Sequence, residues 1–345
     1  MRISSCRLGE PIACADSMGD LWATAWGDDD VLYCVSDDTS GFNSSCKSNL
    51  AISRLSGEPP DLTGETINPM SEYGTLGETR QDGAMWKACG IACIEGALLI
   101  SVSRHVGGGL TSSPYPIQEA WDSSIVISRD KARTWSRMPS IGESMFPGRT
   151  FATPSFVAYG KDGAGEADGA DAYVYAVSSN GVWNNGSGMT LGRVRRDWVK
   201  RLEASNWEFI VNWEDGEPVW GPRHDTARLI FWRRDGASMT GVHYIEPLGL
   251  YIMPQWYHTH LEVPEKRWKA TCFELYQAPK PWGPWEMFHT QRFEPEGWYN
   301  PYIPNKFISD DGKRFWMFVA GDWTTAGKPD GYYKLFMMPV DVEAG

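Results

Sequence analysis

No run of apolar residues in this chain reaches the roughly 18 that a membrane-crossing helix needs; the longest, such as 97–102, is strand-sized. Positive charge is in deficit: 32 Lys and Arg face 44 Asp and Glu, for a net charge of -12. Nucleic-acid binding is driven by neutralising phosphates with Lys and Arg, so that sign argues against such a partner. Helical periodicity is almost absent, and its best stretch, 194–204, has little apolar face. The seven cysteines form no CxxC pair. Cys34 and Cys89 read as small buried hydrophobes, and a Cys6–Cys14 or Cys34–Cys46 bridge is left open. No nucleophile elbow, phosphate-cradling loop or dinucleotide fingerprint occurs; Gly107 to Gly109 lack the strand-to-helix context for one. Residues 1–15 show no charged start followed by an apolar core, so no signal peptide is expected in the sequence as it stands. The compartment is left open.

What is present is aromatic and β-prone. Trp occurs 18 times, and 42% of residues are hydrophobic against 22% charged, the range of a soluble globular protein. Most of the tryptophans are expected in packing and a few against sugar rings. One pattern recurs: an apolar strand, an acidic or glycine turn, then a strongly β-prone strand. The strand pairs are 21–26 with 31–38, 88–94 with 97–105, 153–159 with 172–178, 240–244 with 250–256, and 303–309 with 313–320. Further strands are expected at 50–55, 124–128, 189–194, 271–276 and 332–339. The turns return every ~60–80 residues, enough for four strands and their loops. No Pro- or Ser-rich linker divides the chain into two sandwich domains. The expected fold is therefore all-β: a single domain over 1–345, a five-bladed β-propeller with four antiparallel strands per blade. Residues 128–135 resemble the Asp-box of sialidase-like propellers, a structural turn, with Ala132 where glycine is usual.

In such a fold the start of each inner strand and the end of the next lie at one end of the axis. That end gathers Asp20, Trp22, Asp37, Asp38, Trp86, Lys87, Arg104, His105, Arg149, Asn180, Tyr257, His258, Asn300 and Asp322. The opposite end carries plain turns, at 28–30, 95–96, 248–249 and 311–312. Chemistry concentrated at one end is the main functional signal. Paired aspartates at a strand end often only make turns, yet their placement at the mouth gives them an equal claim to catalysis. His105 is balanced between a ligand contact and a structural histidine.

The stretch 22–38, the WKACGI run at 86–91, FPGR at 146–149, APKPWGPW at 278–285 and GWYNP at 297–301 together resemble a large domain-of-unknown-function family. Its members are five-bladed propellers that include bacterial endo-D-arabinanases, and the resemblance covers nearly the whole chain. The PWGPW segment is shared with other sugar-active propellers, so it speaks for fold and broad class. The resemblance implies glycoside hydrolysis by carboxylates of the first blade, which by position are Asp20 and Asp38. No glutamate stands where a proton donor is unmistakable; Glu119 and Asp122, in a loop after the second inner hairpin, are the candidates.

Glycosidic cleavage needs two carboxyl groups flanking the bond. Asp38 is expected as the base that activates water, Asp20 as the second carboxylate, and Glu119 or Asp122 as the acid. Lys87, Arg104 and Arg149 suit a polyhydroxylated or anionic poly- or oligosaccharide, with Trp22, Trp86, Trp256 and Trp298 available to stack on it. Two rivals stand. A polysaccharide lyase would neutralise a uronate with Lys87, Arg149 or Asn180 and use His105, His258 or Tyr257 as base; a sugar-binding propeller would do no chemistry. His258 and His260 share a strand face, but no further ligands are spaced to complete a metal site, so no metal or cofactor is expected. Treatment with a chelator should accordingly leave activity intact. Full loss, restored by one divalent ion, would place both histidines in the site.

Overall fold

The computed structural model describes residues 1–43, 45–106, 117–164, 172–259, 270–295, 297–322, 325 and 331–345. The chain opens with β1 (Ile3–Leu8) and β2 (Ile12–Ala13). A first sheet follows, ordered β3 (Met18–Trp26), β4 (Leu32–Gly41), β5 (Ser48–Ser56) and β6 (Thr63–Asn68). The second holds β7 (Met85–Ile94), β8 (Ala97–Val106) and β9 (Glu119–Ser128). In the third run, β10 (Ser155–Ala158), β11 (Tyr173–Ser179), β12 (Gly186–Arg195), β13 (Trp207–Glu214) and β14 (Glu217–Gly221) pair in order, and β15 (Leu229–Ala237) returns to β12. A fourth contains β16 (Val242–Ile245), β17 (Leu250–His258), β18 (Thr271–Ala278) and β19 (Glu286–Phe293). The last contains β20 (Tyr299–Tyr302), β21 (Arg314–Ala320) and β22 (Leu335–Ala344), and β1 completes it by pairing with β22. Only three-residue 3-10 turns interrupt the strands among the described residues.

The first strands of successive runs meet in a cycle. β3 lies against β7, β7 against β10, β10 pairs in parallel with β16, β17 lies against β20, and β20 returns to β3. Each apolar cluster is correspondingly shared by neighbouring sheets. Leu21, Val35 and Ile52 of the first pack with Trp86, Ile91 and Ile100 of the second. Leu99 and Ile127 pack with Phe156, Trp207 and Phe209, and Val157 and Val177 with Val242 and Met253. The inner strands are therefore buried on both faces and read as near-continuous apolar runs rather than alternating ones.

Two expectations are corrected. Residues 303–309 are not a strand: β20 ends at Tyr302 and residues 305–307 form a 3-10 turn. Pro304 lacks the amide a ladder uses, and the Asn305 side-chain amide donates instead to the Tyr244 carbonyl of the fourth sheet at 2.8 Å. Strand number also varies. The second sheet has three described strands, while the third run has six because the long β12 lends one end to β13 and the other to β15. The turn at 128–135 is built from side chains. Asp130 accepts from the Thr134 amide at 2.9 Å, and Ser128 Oγ from the Ala132 amide at 2.9 Å. Ala132 holds φ 65°, where glycine is the easier residue. All seven cysteines are free thiols, so neither bridge forms.

The N-terminal strand is fixed from the side as well. The buried Gln277 carboxamide accepts from the Ile3 amide at 2.7 Å and donates to the Ile3 carbonyl at 2.9 Å, tying β1 to β18. Gln277→Ala should lower unfolding free energy by about 2 kcal/mol, since two buried hydrogen bonds are lost. Denaturant unfolding measures the loss, and amide exchange should quicken first in β1.

Candidate active site

The first sheet brings its carboxylates to the mouth through irregular backbone. Register shifts on both sides of Asp20 as β3 pairs with β4, and Leu21 and Trp22 take left-handed φ of 71° and 53°. At Gly19, φ 137°, a Cβ would collide with the Thr39 hydroxyl. The bulge sets Asp20 opposite Asp37 while turning Trp22 into the core. Asp38, φ 41°, and Asn300, φ 49°, are also left-handed. Such conformations cost free energy and persist only where the surroundings impose them, often at functional sites.

Lys87, on β7 and only 4% exposed, sits among these groups. Its ammonium contacts Asp38 Oδ2. Burial alone would lower its pKa, but Asp38, Asp37 and Asp20 together raise it above an ordinary lysine's, so it stays charged. Asp38 is 31% exposed. Asp37 is 1% exposed and accepts from the Ala88 amide at 3.0 Å. Burial pushes its carboxyl well above the usual range, against the pull of Lys87. Asp20 keeps part of its surface open but is densely surrounded. Burial pushes it up to about 6, opposed by Lys87, reinforced by Asp38, and opposed again by hydrogen bonds from Tyr299 and Tyr333. The Tyr299 hydroxyl donates to Asp20 Oδ2 at 3.0 Å.

Around this cluster stand buried polar atoms with no hydrogen-bond partner: Asp37 Oδ2, Asp38 Oδ1, His105 Nδ1 and both amide atoms of Asn300. Orphaned polar atoms in a native interior call for a water, an ion or a ligand. His105 is held neutral, its pKa lowered to about 3 by burial and then by Lys87, and its ring meets Trp183 edge-on at 5.0 Å. Arg104 pairs with Asp82 and lies 4.8 Å from the Trp86 ring.

The remaining expected residues divide. Trp22, Trp86 and Trp256 are fully buried between sheets, so their rings are not offered to a sugar. Trp298, half-buried, packs on Phe336 at 4.5 Å. Tyr257 points to the other face of β17 and donates to Glu274 at 3.0 Å. His258 is buried, with its pKa lowered by burial to about 4; His260 lies outside the described residues, as do Gly107 to Gly109. Asn180 is exposed in the turn after β11. Glu119 and Asp122 lie on β9 rather than in a loop. Glu119 pairs with Arg149, and Asp122, φ 54°, accepts from the Gly148 amide at 2.7 Å, which reads as a loop clasp. Tyr299 and Tyr333 were not anticipated from sequence; Tyr299 stands in the GWYNP segment, the one signal that pointed near them. The described residues also group Asp28, Cys93 and Asp162 at the opposite end of the axis, where Lys131 already pairs with Asp28.

No family model and no curated protein matches the chain. Solved structures do. A conjectured hydrolase of Bacteroides ovatus aligns with a TM-score of 0.57 at 12% identity, over 96% of this chain and 87% of its own. The endo-arabinase of Bacteroides thetaiotaomicron gives 0.52 at 10% identity, over 97% and 98%. The GH43 protein BlXynB of Bacillus licheniformis gives 0.51 at 11% identity, over 97% of this chain but 57% of its own. The chain is all-β and shares the fold of these proteins.

Among the described residues Lys87 is the buried cation set against the three carboxylates, and its removal should be read in pH. Asp20 and Asp37 already have raised folded pKa values, so what they contribute is present below the unfolded carboxylate value and lost as pH rises through the folded one. Lys87→Met would push both higher. The variant should be less stable than wild type by about 3–5 kcal/mol at pH 8, with the gap narrowing toward pH 4; denaturation at the two pH values checks it.

Proposed function

We propose that this chain is a five-bladed β-propeller acting as a glycoside hydrolase on a poly- or oligosaccharide. The observation that carries the reading is the pair Asp20 and Asp38, on adjacent strands at one end of the axis, sharing the buried Lys87 ammonium. The fold, common to an endo-arabinase and a GH43 protein, supports the class of reaction.

Asp38, paired with Lys87, is suited to act as base through Oδ1, which has no other partner. It takes a proton from water while the water oxygen bonds to the anomeric carbon. The electrons of the breaking glycosidic bond pass to the departing sugar oxygen, which needs a proton. Glu119 is held by Arg149 and Asp122 by the Gly148 amide, so Asp20, protonated below about 6, is the carboxyl better placed to donate it. Solvent then reprotonates Asp20 and deprotonates Asp38. Asn300, His105 Nδ1 and Asp37 Oδ2 are available to sugar hydroxyls. Elimination from a uronate has less support: Lys87, the cation that would neutralise the substrate's carboxylate, is paired with Asp38, Tyr257 is committed to Glu274, and neutral His105 is a weak base.

Asp38→Asn should lower turnover by ~10²–10⁴; Asn tolerates the left-handed backbone there, so any fall in melting temperature reports the lost ion pair with buried Lys87. A panel of plant and bacterial polysaccharides, scored for reducing ends, supplies the assay. Products that absorb in the ultraviolet and persist in Asp38→Asn would transfer the assignment to a lyase.

A further inference from the structure

Asp20 and Asp37 face each other across β3 and β4, yet only one is equipped to lose a proton. Asp37 receives a single backbone amide and leaves Oδ2 unpartnered. Asp20 receives a hydroxyl from the last sheet: Tyr299, on β20, donates to its Oδ2 at 3.0 Å, and Tyr333, just ahead of β22, acts on its titration from beside it. A hydroxyl that donates to a carboxylate favours its ionised form. Both phenols remain protonated donors, because burial first and the Asp20 charge second push them well above the usual tyrosine range.

Packing does not explain these hydroxyls. The Tyr299 ring rests on Trp256, 5.5 Å between centroids, a contact that phenylalanine would make equally well. Tyr302, on the same strand, shows what a purely structural phenol does here: its hydroxyl donates to the Thr24 backbone carbonyl at 3.1 Å and ties two sheets together. Tyr299 spends its hydroxyl on an ionisable group instead.

We propose that Tyr299, with Tyr333 beside it, is a positioning residue for Asp20, fixing the orientation of its carboxylate through the hydrogen bond to Oδ2. The inference rests on the reading of Asp20 as a proton-exchanging group. The other charged groups that bear on the site are Asp37 and Asp38 from β4, Lys87 from β7 and Asp322 after β21, the last acting on Tyr299. Against burial, Lys87 is the largest pull downward on Asp20, followed by the two phenols. Deleting either hydroxyl therefore moves proton release to higher pH.

The test is a carboxyl-carbon NMR titration of aspartate-labelled protein, with the Asp20 signal assigned by its loss in Asp20→Asn. Wild type should titrate near 6. Tyr299→Phe should raise the midpoint by about one unit, Tyr333→Phe should raise it as well, and Tyr302→Phe should leave it alone. With a cleavable glycoside, the alkaline limb of kcat/KM should move in step. A midpoint unchanged in Tyr299→Phe that melts like wild type would overturn the inference; if that variant does not fold, Tyr333→Phe decides by the same criterion. Should wild type cleave no glycoside at all, the hydrolase reading falls while the titration still answers this question.

Discussion

Every inner strand of this protein is buried on both faces, and that is possible only because the ring of sheets closes. Closure depends on β1 pairing with β22, which places the first and last strands of the chain in one sheet. The Gln277–Ile3 hydrogen bonds hold the same strand to the preceding sheet. An open end would leave a row of unpaired amides and carbonyls and one apolar face without a partner. Once the ring is closed, the starts and ends of the inner strands converge, and strands far apart in sequence are forced to share one small volume.

Chemistry follows from what that volume holds. Three aspartates, one lysine, two tyrosines, an asparagine and a histidine meet where water is scarce. Low local polarity makes each charge costly alone and each pairing strong. Lys87 offsets the carboxylates, yet one ammonium cannot neutralise three of them. Burial shifts the balance, raising the Asp37 carboxyl well above its usual range and Asp20 to about 6. The same shortage of partners leaves His105 Nδ1 and the Asn300 amide unsatisfied.

Strain lies in the same place. Leu21, Trp22, Asp38 and Asn300 are all left-handed, and none is glycine. Straightening β3 would carry Asp20 and Trp22 to new faces together, because successive side chains alternate across a strand. The bulge thus buries the tryptophan and presents the aspartate in one move.

Local pattern determined much of this by itself. The strands around the turns at 28–30 and 95–96 were legible because apolar and β-branched runs bounded by acidic or glycine turns specify strand pairs without reference to distant residues. The gathering of Asp20, Asp38 and Lys87 was legible too, since strand direction fixes which ends share a face. Tertiary structure decided the rest. Residues 303–309 look like a strand, but Pro304 and the Asn305 bond to Tyr244 turn them into a link between sheets. Trp22, Trp86 and Trp256 carry the same side chain as a sugar platform, and only the packing of one sheet on the next puts them inside. Tyr299 and Tyr333 gave no signal of their own, because a tyrosine near a strand is ordinary until closure brings its hydroxyl to a carboxylate some 280 residues away. Sequence spacing governs which way a side chain points, whereas what it meets depends on contacts that form only when the ring is complete.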